Sequence, residues 1–255
     1  MSESKVSSWR VCGVIGLFWV TLLLRYLATL VDLPLRDEVL YTRELEAVIA
    51  EGAVAAESIL HNFPPLLFLL MTLAPKFGME VYTFTLWLVI LISSLSPVAI
   101  YLVSRRLFVR EEFAWMAGII GAVLPVGVDV GSAVMRDAPY LCAVLWALWA
   151  LLKATEARGA LGALLRGALC GAMAGAAFSF RWEGALVAMA LGGCCMLMRF
   201  RAGLRARMMA ALGMLLAAAV VFFAVRWWYS AWGAPFWPDR SNTRINDILE
   251  GDPDA

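Results

Sequence analysis

The sequence predicts an all-α, polytopic membrane protein of about seven transmembrane helices, with amphipathic surface helices in the loop after the first span. Three observations lead there. Hydrophobic residues fill 62% of the 255 positions and charged residues only 16%, against roughly 45–50% and about a quarter in soluble domains. A water-facing globule of this size has more surface to cover than so few charges allow. The apolar residues fall in runs, most of them long enough to cross about 30 Å of hydrocarbon. Between the runs, the clusters of basic residues fall on one side of the membrane once the chain is threaded through it.

The composition also excludes function classes. A net charge of +1 provides no polyanion-binding surface, so no nucleic-acid partner is expected. The five cysteines (Cys12, Cys142, Cys170, Cys194 and Cys195) lie inside apolar runs without a CxxC pair, and read as packing residues. His61 is the single histidine, which argues against a zinc site built from His and Cys.

Lys5 and Arg10 precede the first run, Val11–Val31, whose 21 residues give ~31 Å of helix. That is too long for the apolar core of a signal peptide, and no small-residue cleavage site follows, so it reads as a retained span. The first outer loop covers 32–62. From Glu38 onward Tyr41, Leu45, Val48 and Ile49 share one helix face, with Arg43, Glu44, Glu46 and Glu51 on the others. This is the pattern of a helix lying on the membrane surface, with Asp37 as its N-cap. Phe63–Pro75 opens on Pro64-Pro65 and gives only ~20 Å of helix, which suits a re-entrant or surface helix better than a span.

Further spans follow at Val81–Val103, Phe113–Val134, Ala138–Leu152, Ala160–Phe180, Gly184–Met198 and Met208–Val225. With 63–75 not crossing, Arg105, Arg106, Arg110, Lys153, Arg158, Arg199, Arg201, Arg205 and Arg207 all fall inside with the N-terminus. Were 63–75 to cross, every one of them would move outside. In the fifth run Ala163, Gly167, Gly171, Gly175 and Ser179 recur every four residues, a smooth stripe that lets another backbone approach closely. The transmembrane module is thus 1–226. The remainder, 227–255, is an outer-side tail that opens with an interfacial cluster of Trp227, Trp228, Trp232 and Trp237.

Three acid–base sets reach the outer face: Arg36-Asp37-Glu38, Arg136-Asp137 and Arg181-Trp182-Glu183. The last two stand at the ends of apolar helices with almost no loop around them, where charge is costly unless paired or used. They read either as ion pairs closing helix ends or as a charged cavity with arginines for an anion and a carboxylate base.

Taken in order, Asp37-Glu38 with Tyr41, His61-Asn62-Phe63-Pro64-Pro65-Leu66, Arg136-Asp137-Ala138-Pro139 and Arg181-Trp182-Glu183-Gly184 resemble membrane glycosyltransferases of the GT-C fold. The nearest groups are the protein O-mannosyltransferases and the lipid A aminoarabinose transferases (glycosyltransferase family 39-like). The resemblance covers the N-terminal seven-helix module of that superfamily. It implies a sugar donor linked to a polyprenyl phosphate, an acceptor hydroxyl on a lipid, glycan or protein, and Asp37 as general base. Glu38, Tyr41, His61, Arg136, Asp137, Arg181 and Glu183 would then bind substrate. A single displacement inverts the anomeric centre and needs one base, with cations for the departing phosphate. No cofactor is required; if a divalent ion took part, Asp37 and Asp137 are the oxygen donors that would suit Mg²⁺ or Mn²⁺. Two departures stand out. The lysine that mannosyltransferases carry near Pro-Pro is absent, and the chain stops soon after its seventh span, as a fragment, a minimal form or an inactive relative would. The competing classes are a non-catalytic membrane partner keeping the fold, and a lipid or anion transporter, although no broken-helix pair is evident for the latter. Short loops point to a bacterial inner membrane, with the N-terminus cytoplasmic and the site extracytoplasmic.

Overall fold

The computed structural model describes residues 8–30, 42–43, 46–47 and 65–231. These residues are helical, with no strand among them. Thr42–Arg43 and Glu46–Ala47 lie in helix. The other elements are α1 (Ser8–Thr29), α2 (Pro65–Met71), a 3₁₀ turn (Ala74–Phe77), α3 (Val81–Ser94), α4 (Ser96–Leu107), α5 (Glu111–Val123), α6 (Pro125–Ser132), α7 (Asp137–Thr155), α8 (Ala160–Phe180), α9 (Gly184–Leu197) and α10 (Gly203–Ser230).

Five segments are long and apolar enough to cross a membrane: α1, α3 joined to α4, α7, α8 and α10. The pair α5–α6 makes a sixth, bent by 53°. α9 has 14 residues, ~21 Å of helix, and falls short of a full crossing by itself. The expected count of seven is therefore approximate. One span is bent among the described residues, at Leu124-Pro125. Proline has no N–H for the helix ladder, and its ring drives the preceding residue out of helical geometry; Leu124 accordingly sits at φ −60°, ψ 119°.

Large apolar side chains cover the outside of the bundle. On α1, Ile15, Trp19, Val20, Leu23 and Leu27 are all exposed, and on α10 so are Leu212, Leu215, Leu216, Val220 and Phe223. Water would not tolerate such patches, whereas lipid does. The protein is an integral membrane protein.

The tightest packing joins α8 to α10. The small-residue stripe does what its spacing predicts. A Cβ on Gly167 would run into the Ala210 carbonyl, one on Gly171 into the Met214 carbonyl, and one on Gly175 would stand 2.9 Å from the Ala218 carbonyl. The partners advance together along both helices, so α8 and α10 run parallel, with α9 as the return. Farther along, Phe178 stacks on Phe222 with ring centroids 4.9 Å apart.

α2 determines the floor of the site. Leu67, Phe68, Leu69 and Met71 are buried in one cluster with Ala138, Phe180 and Val225. Each of the last three immediately adjoins a charged residue: Asp137, Arg181 and Arg226. Apolar packing against α2 therefore fixes the three helix ends that carry these charges.

The charged residues sort into two ends. Arg10 Nη2 donates to Glu111 Oε2 at 2.6 Å, Arg106 pairs with Glu156, and the Arg201 N–H donates to the Thr155 carbonyl at 2.9 Å. These contacts gather the arginine clusters after α4, after α7 and before α10 at one end. Asp137, Arg181, Glu183 and Arg226 occupy the other.

Candidate functional site

Arg181 terminates α8 in an extended conformation, φ −148° and ψ 139°, while its N–H still donates to the Ala177 carbonyl at 2.9 Å. The chain then reverses in one turn, closed by the Gly184 N–H to the Arg181 carbonyl at 2.9 Å. Gly184 permits this turn, because a Cβ there would collide with the Phe178 backbone. The reversal places Glu183 beside the Arg181 guanidinium. Nη2 donates to Oε1 at 2.9 Å and Nε to Oε2 at 3.2 Å, a two-pronged fork.

The third arm of the same guanidinium, Nη1, donates to Asp137 Oδ1. Asp137 opens α7, where a carboxylate also opposes the positive end of the helix dipole. Arg181 lies over the Tyr140 ring, 5.8 Å from its centroid. The cluster is half-open, with side-chain exposures of 29% for Arg181, 37% for Asp137 and 56% for Glu183. A ligand can thus reach both carboxylates without unfolding anything.

The electrostatics follow from the contacts. The Arg181 fork holds the Glu183 carboxyl down at about 2, with the Arg136 charge acting in the same direction. Arg181 is in turn pushed above its ordinary range, first by its bond to Glu183 and also by Asp137. Glu183 and Arg181 are therefore both charged at neutral pH. Arg136 belongs to this cluster through its charge, and directly precedes Asp137.

Two arginines join this end although sequence reasoning assigned them no role. Arg226 is buried, with its guanidinium over the Trp182 ring at 4.6 Å and near Phe222 at 5.7 Å. The α8–α10 register brings it there: the stacked Phe178 and Phe222 precede Trp182 and Arg226 by one helical turn each. Arg25 on α1 is also buried. It donates from Nη2 to the Gly127 carbonyl at 3.3 Å, while Nε and Nη1 have no hydrogen-bond partner. A Cβ on Gly131 would strike Arg25 Nε, so the glycine makes room for the guanidinium. The available signal was a charge inside an apolar helix.

Of the sequence-derived residues, Asp137, Arg181, Glu183 and Arg136 are brought together. Asp37, Glu38, Tyr41 and His61 lie outside the described residues. Among the described residues no three His, Cys, Asp or Glu side chains group as metal ligands.

The family profile of dolichyl-phosphate-mannose-protein mannosyltransferases matches residues 62–228. The chain belongs to this family. Its fold is that of a solved relative, the S. cerevisiae protein O-mannosyltransferase Pmt1-Pmt2 complex bound to the sugar donor. The two superimpose with a TM-score of 0.67 at 18% identity, over 89% of this chain and 34% of the yeast chain. This chain therefore spans about a third of the length of that mannosyltransferase, and the shared part has the GT-C architecture. No curated protein sequence matches the chain. The mannosyltransferase family profile includes both Asp137 and the Arg181 turn, and begins after Asp37.

Proposed function

We propose that the chain is the transmembrane module of a glycosyltransferase that moves a sugar, mannose by family analogy, from a polyprenyl-phosphate donor to an acceptor hydroxyl. The acceptor is a lipid, glycan or protein on the extracytoplasmic face of a bacterial inner membrane. Membership of the mannosyltransferase family over 62–228 carries this reading, and the paired charges of Asp137, Arg181 and Glu183 support it.

The chemistry asks for a base at the acceptor and positive charge at the departing phosphate. Asp37 is the proposed base. Arg136, Arg181 and Arg226 supply the cations, and the two carboxylates of Asp137 and Glu183 leave that end with a net positive charge. Arg181 is held from both sides, so it meets a phosphate already oriented, with little rearrangement during transfer. Displacement at the anomeric carbon breaks its bond to the phosphate oxygen and inverts its configuration, while Asp37 takes the acceptor proton. The Asp137 carboxylate is committed to Arg181, so the reaction is proposed to run without a divalent ion; transfer in EDTA equal to that in Mg²⁺ or Mn²⁺ is the expected result.

The test is transfer of radiolabelled sugar from polyprenyl phosphate by the purified protein, wild type against Asp37→Asn. An N-cap needs only a side-chain oxygen, so the Asn variant keeps its thermal stability. A base must accept a proton, so transfer falls by a factor of roughly 10²–10⁴. A folded Asn variant with full activity reassigns the base. A wild type with no transfer from any polyprenyl-phosphate sugar favours the fold-keeping partner, and donor flipping without transfer favours a transporter.

A further inference from the structure

The end of the bundle opposite the Arg181 cluster holds a cavity of about 900 Å³ between the α7–α8 and α9–α10 loops. Lys153, Arg158, Arg166, Arg199 and Arg201 line it, with Glu156 as the one acidic lining residue. Arg166, Arg199 and Arg201 bring three like charges to one space, and like charges so placed repel one another unless an anion sits among them. Glu156 does not fill that role, because it is already engaged by Arg106 and lies 3.8 Å from Lys153 Nζ.

The walls of this cavity are built. The Arg201 N–H donates to the Thr155 carbonyl at 2.9 Å, which latches one loop to the other. Between the two arginines of the second loop, Phe200 is buried in the core formed by α7, α8, α9 and α10. Arg166 Nη1 donates to the Lys153 carbonyl at 2.7 Å, so its guanidinium is positioned before any ligand arrives. Arg199 and Arg201 are exposed, and their guanidinium groups make no hydrogen bond or ion pair with the described residues. The first turn of α8, with no side-chain cap at Gly159, borders the same cavity through Gly159 and Gly162.

We propose that this cavity is a binding site for the phosphate headgroup of an anionic membrane phospholipid. A glycerophosphate headgroup is smaller than the cavity, and arginine forks match phosphate oxygens. The lipid source follows from position: the cavity lies at the end of the membrane-spanning helices, where headgroups reside and acyl chains can run along the apolar faces of α9 and α10. The site is read from this cavity alone and stands or falls independently of the transfer reaction.

The experiment titrates a fluorescent short-chain phosphatidylglycerol into the full chain in neutral detergent, with the phosphatidylcholine analogue in parallel. The expected result is saturable binding of phosphatidylglycerol only. Each arginine near an anionic headgroup is worth about fivefold in affinity, so Arg199→Gln or Arg201→Gln weakens binding about fivefold and the double variant roughly twentyfold. The Arg199→Lys, Arg201→Lys pair keeps most of the affinity. Arg105→Gln with Arg110→Gln, at the same end but outside the cavity, leaves it unchanged. Equal weakening by the two Gln pairs would show diffuse surface charge and overturn the site. Equal binding of phosphatidylcholine would remove the charge argument, and competition by inorganic phosphate at the lipid's own concentration would reassign the cavity to a free anion.

Discussion

The two ends of the bundle carry charge in opposite ways. At the Arg181 end, Arg181 is met by the carboxylates of Asp137 and Glu183, and Arg226 by the face of Trp182. At the other end, Arg10 and Arg106 are paired with Glu111 and Glu156, while Arg199 and Arg201 surround open space. The first arrangement fixes charge in place above an apolar floor supplied by α2. The second holds positive charge in excess, the condition for attracting an anion from outside. Charges that serve chemistry must be pre-oriented; charges that serve anchorage need only be abundant and accessible.

The comparison breaks most completely at the element that joins the two ends. Gly171→Leu forces a side chain into the Met214 carbonyl and separates α8 from α10. Overpacking of this kind costs at least about 1–3 kcal/mol, and here backbone stands in the way. We expect loss of monodisperse protein on size-exclusion chromatography and loss of both transfer and lipid binding. Next in size is Arg181→Ala, which removes the oriented cation and leaves two carboxylates facing the donor phosphate. Transfer should fall by roughly 10²-fold or more, while Arg106→Ala at the other end leaves kcat within error. Equal losses from the two substitutions would erase the functional distinction between the ends.

The smallest effect sharpens the comparison through pH. The Glu183 carboxyl is depressed in the folded protein, so its stabilising pair is fully present above the ordinary carboxylate range. That contribution is lost as pH falls from there toward about 2. The pair is more than half exposed on the Glu183 side, so its worth is at most about 1 kcal/mol. Thermal melts of wild type and Glu183→Gln should differ slightly at pH 6 and converge as the pH drops below 4 (roughly the unfolded carboxylate range). A gap that widens on acidification would contradict the pairing.

Much of this architecture was legible from hydropathy and charge spacing. The span at Ala160–Phe180 was read with the bounds the structure gives, because Gly159 and Arg181 bracket an apolar run whose one charged residue is Arg166. Arg136-Asp137 and Arg181-Trp182-Glu183 were singled out because a charge at the end of an apolar helix needs a partner, and Arg181 finds two, Asp137 and Glu183. The 53° bend was missed although Pro125 was in plain view: an apolar run hides a proline from a hydropathy count. Arg25 and Arg226 were passed over because their burial depends on Gly131 and Trp182, far away in sequence. For α2, sequence gave only a short apolar stretch behind two prolines. Its burial beneath the charged helix ends depends on where α7, α8 and α10 meet, which no local pattern encodes.

The parallel contact of α8 and α10 has a mechanical consequence. Each glycine of the stripe receives one carbonyl of the facing helix, so the two helices mesh like a toothed rack. A one-residue slip would bring Cβ atoms onto carbonyls all along the contact, and only a whole tooth of four residues, about 6 Å, restores the fit. Smooth piston motion between these helices is therefore blocked, and the pair acts as a spacer of constant length between the basic cavity and the Arg181 turn. Communication between the two ends would have to travel as tilt or rotation of the whole pair, or pass around it through the bent segment at Pro125.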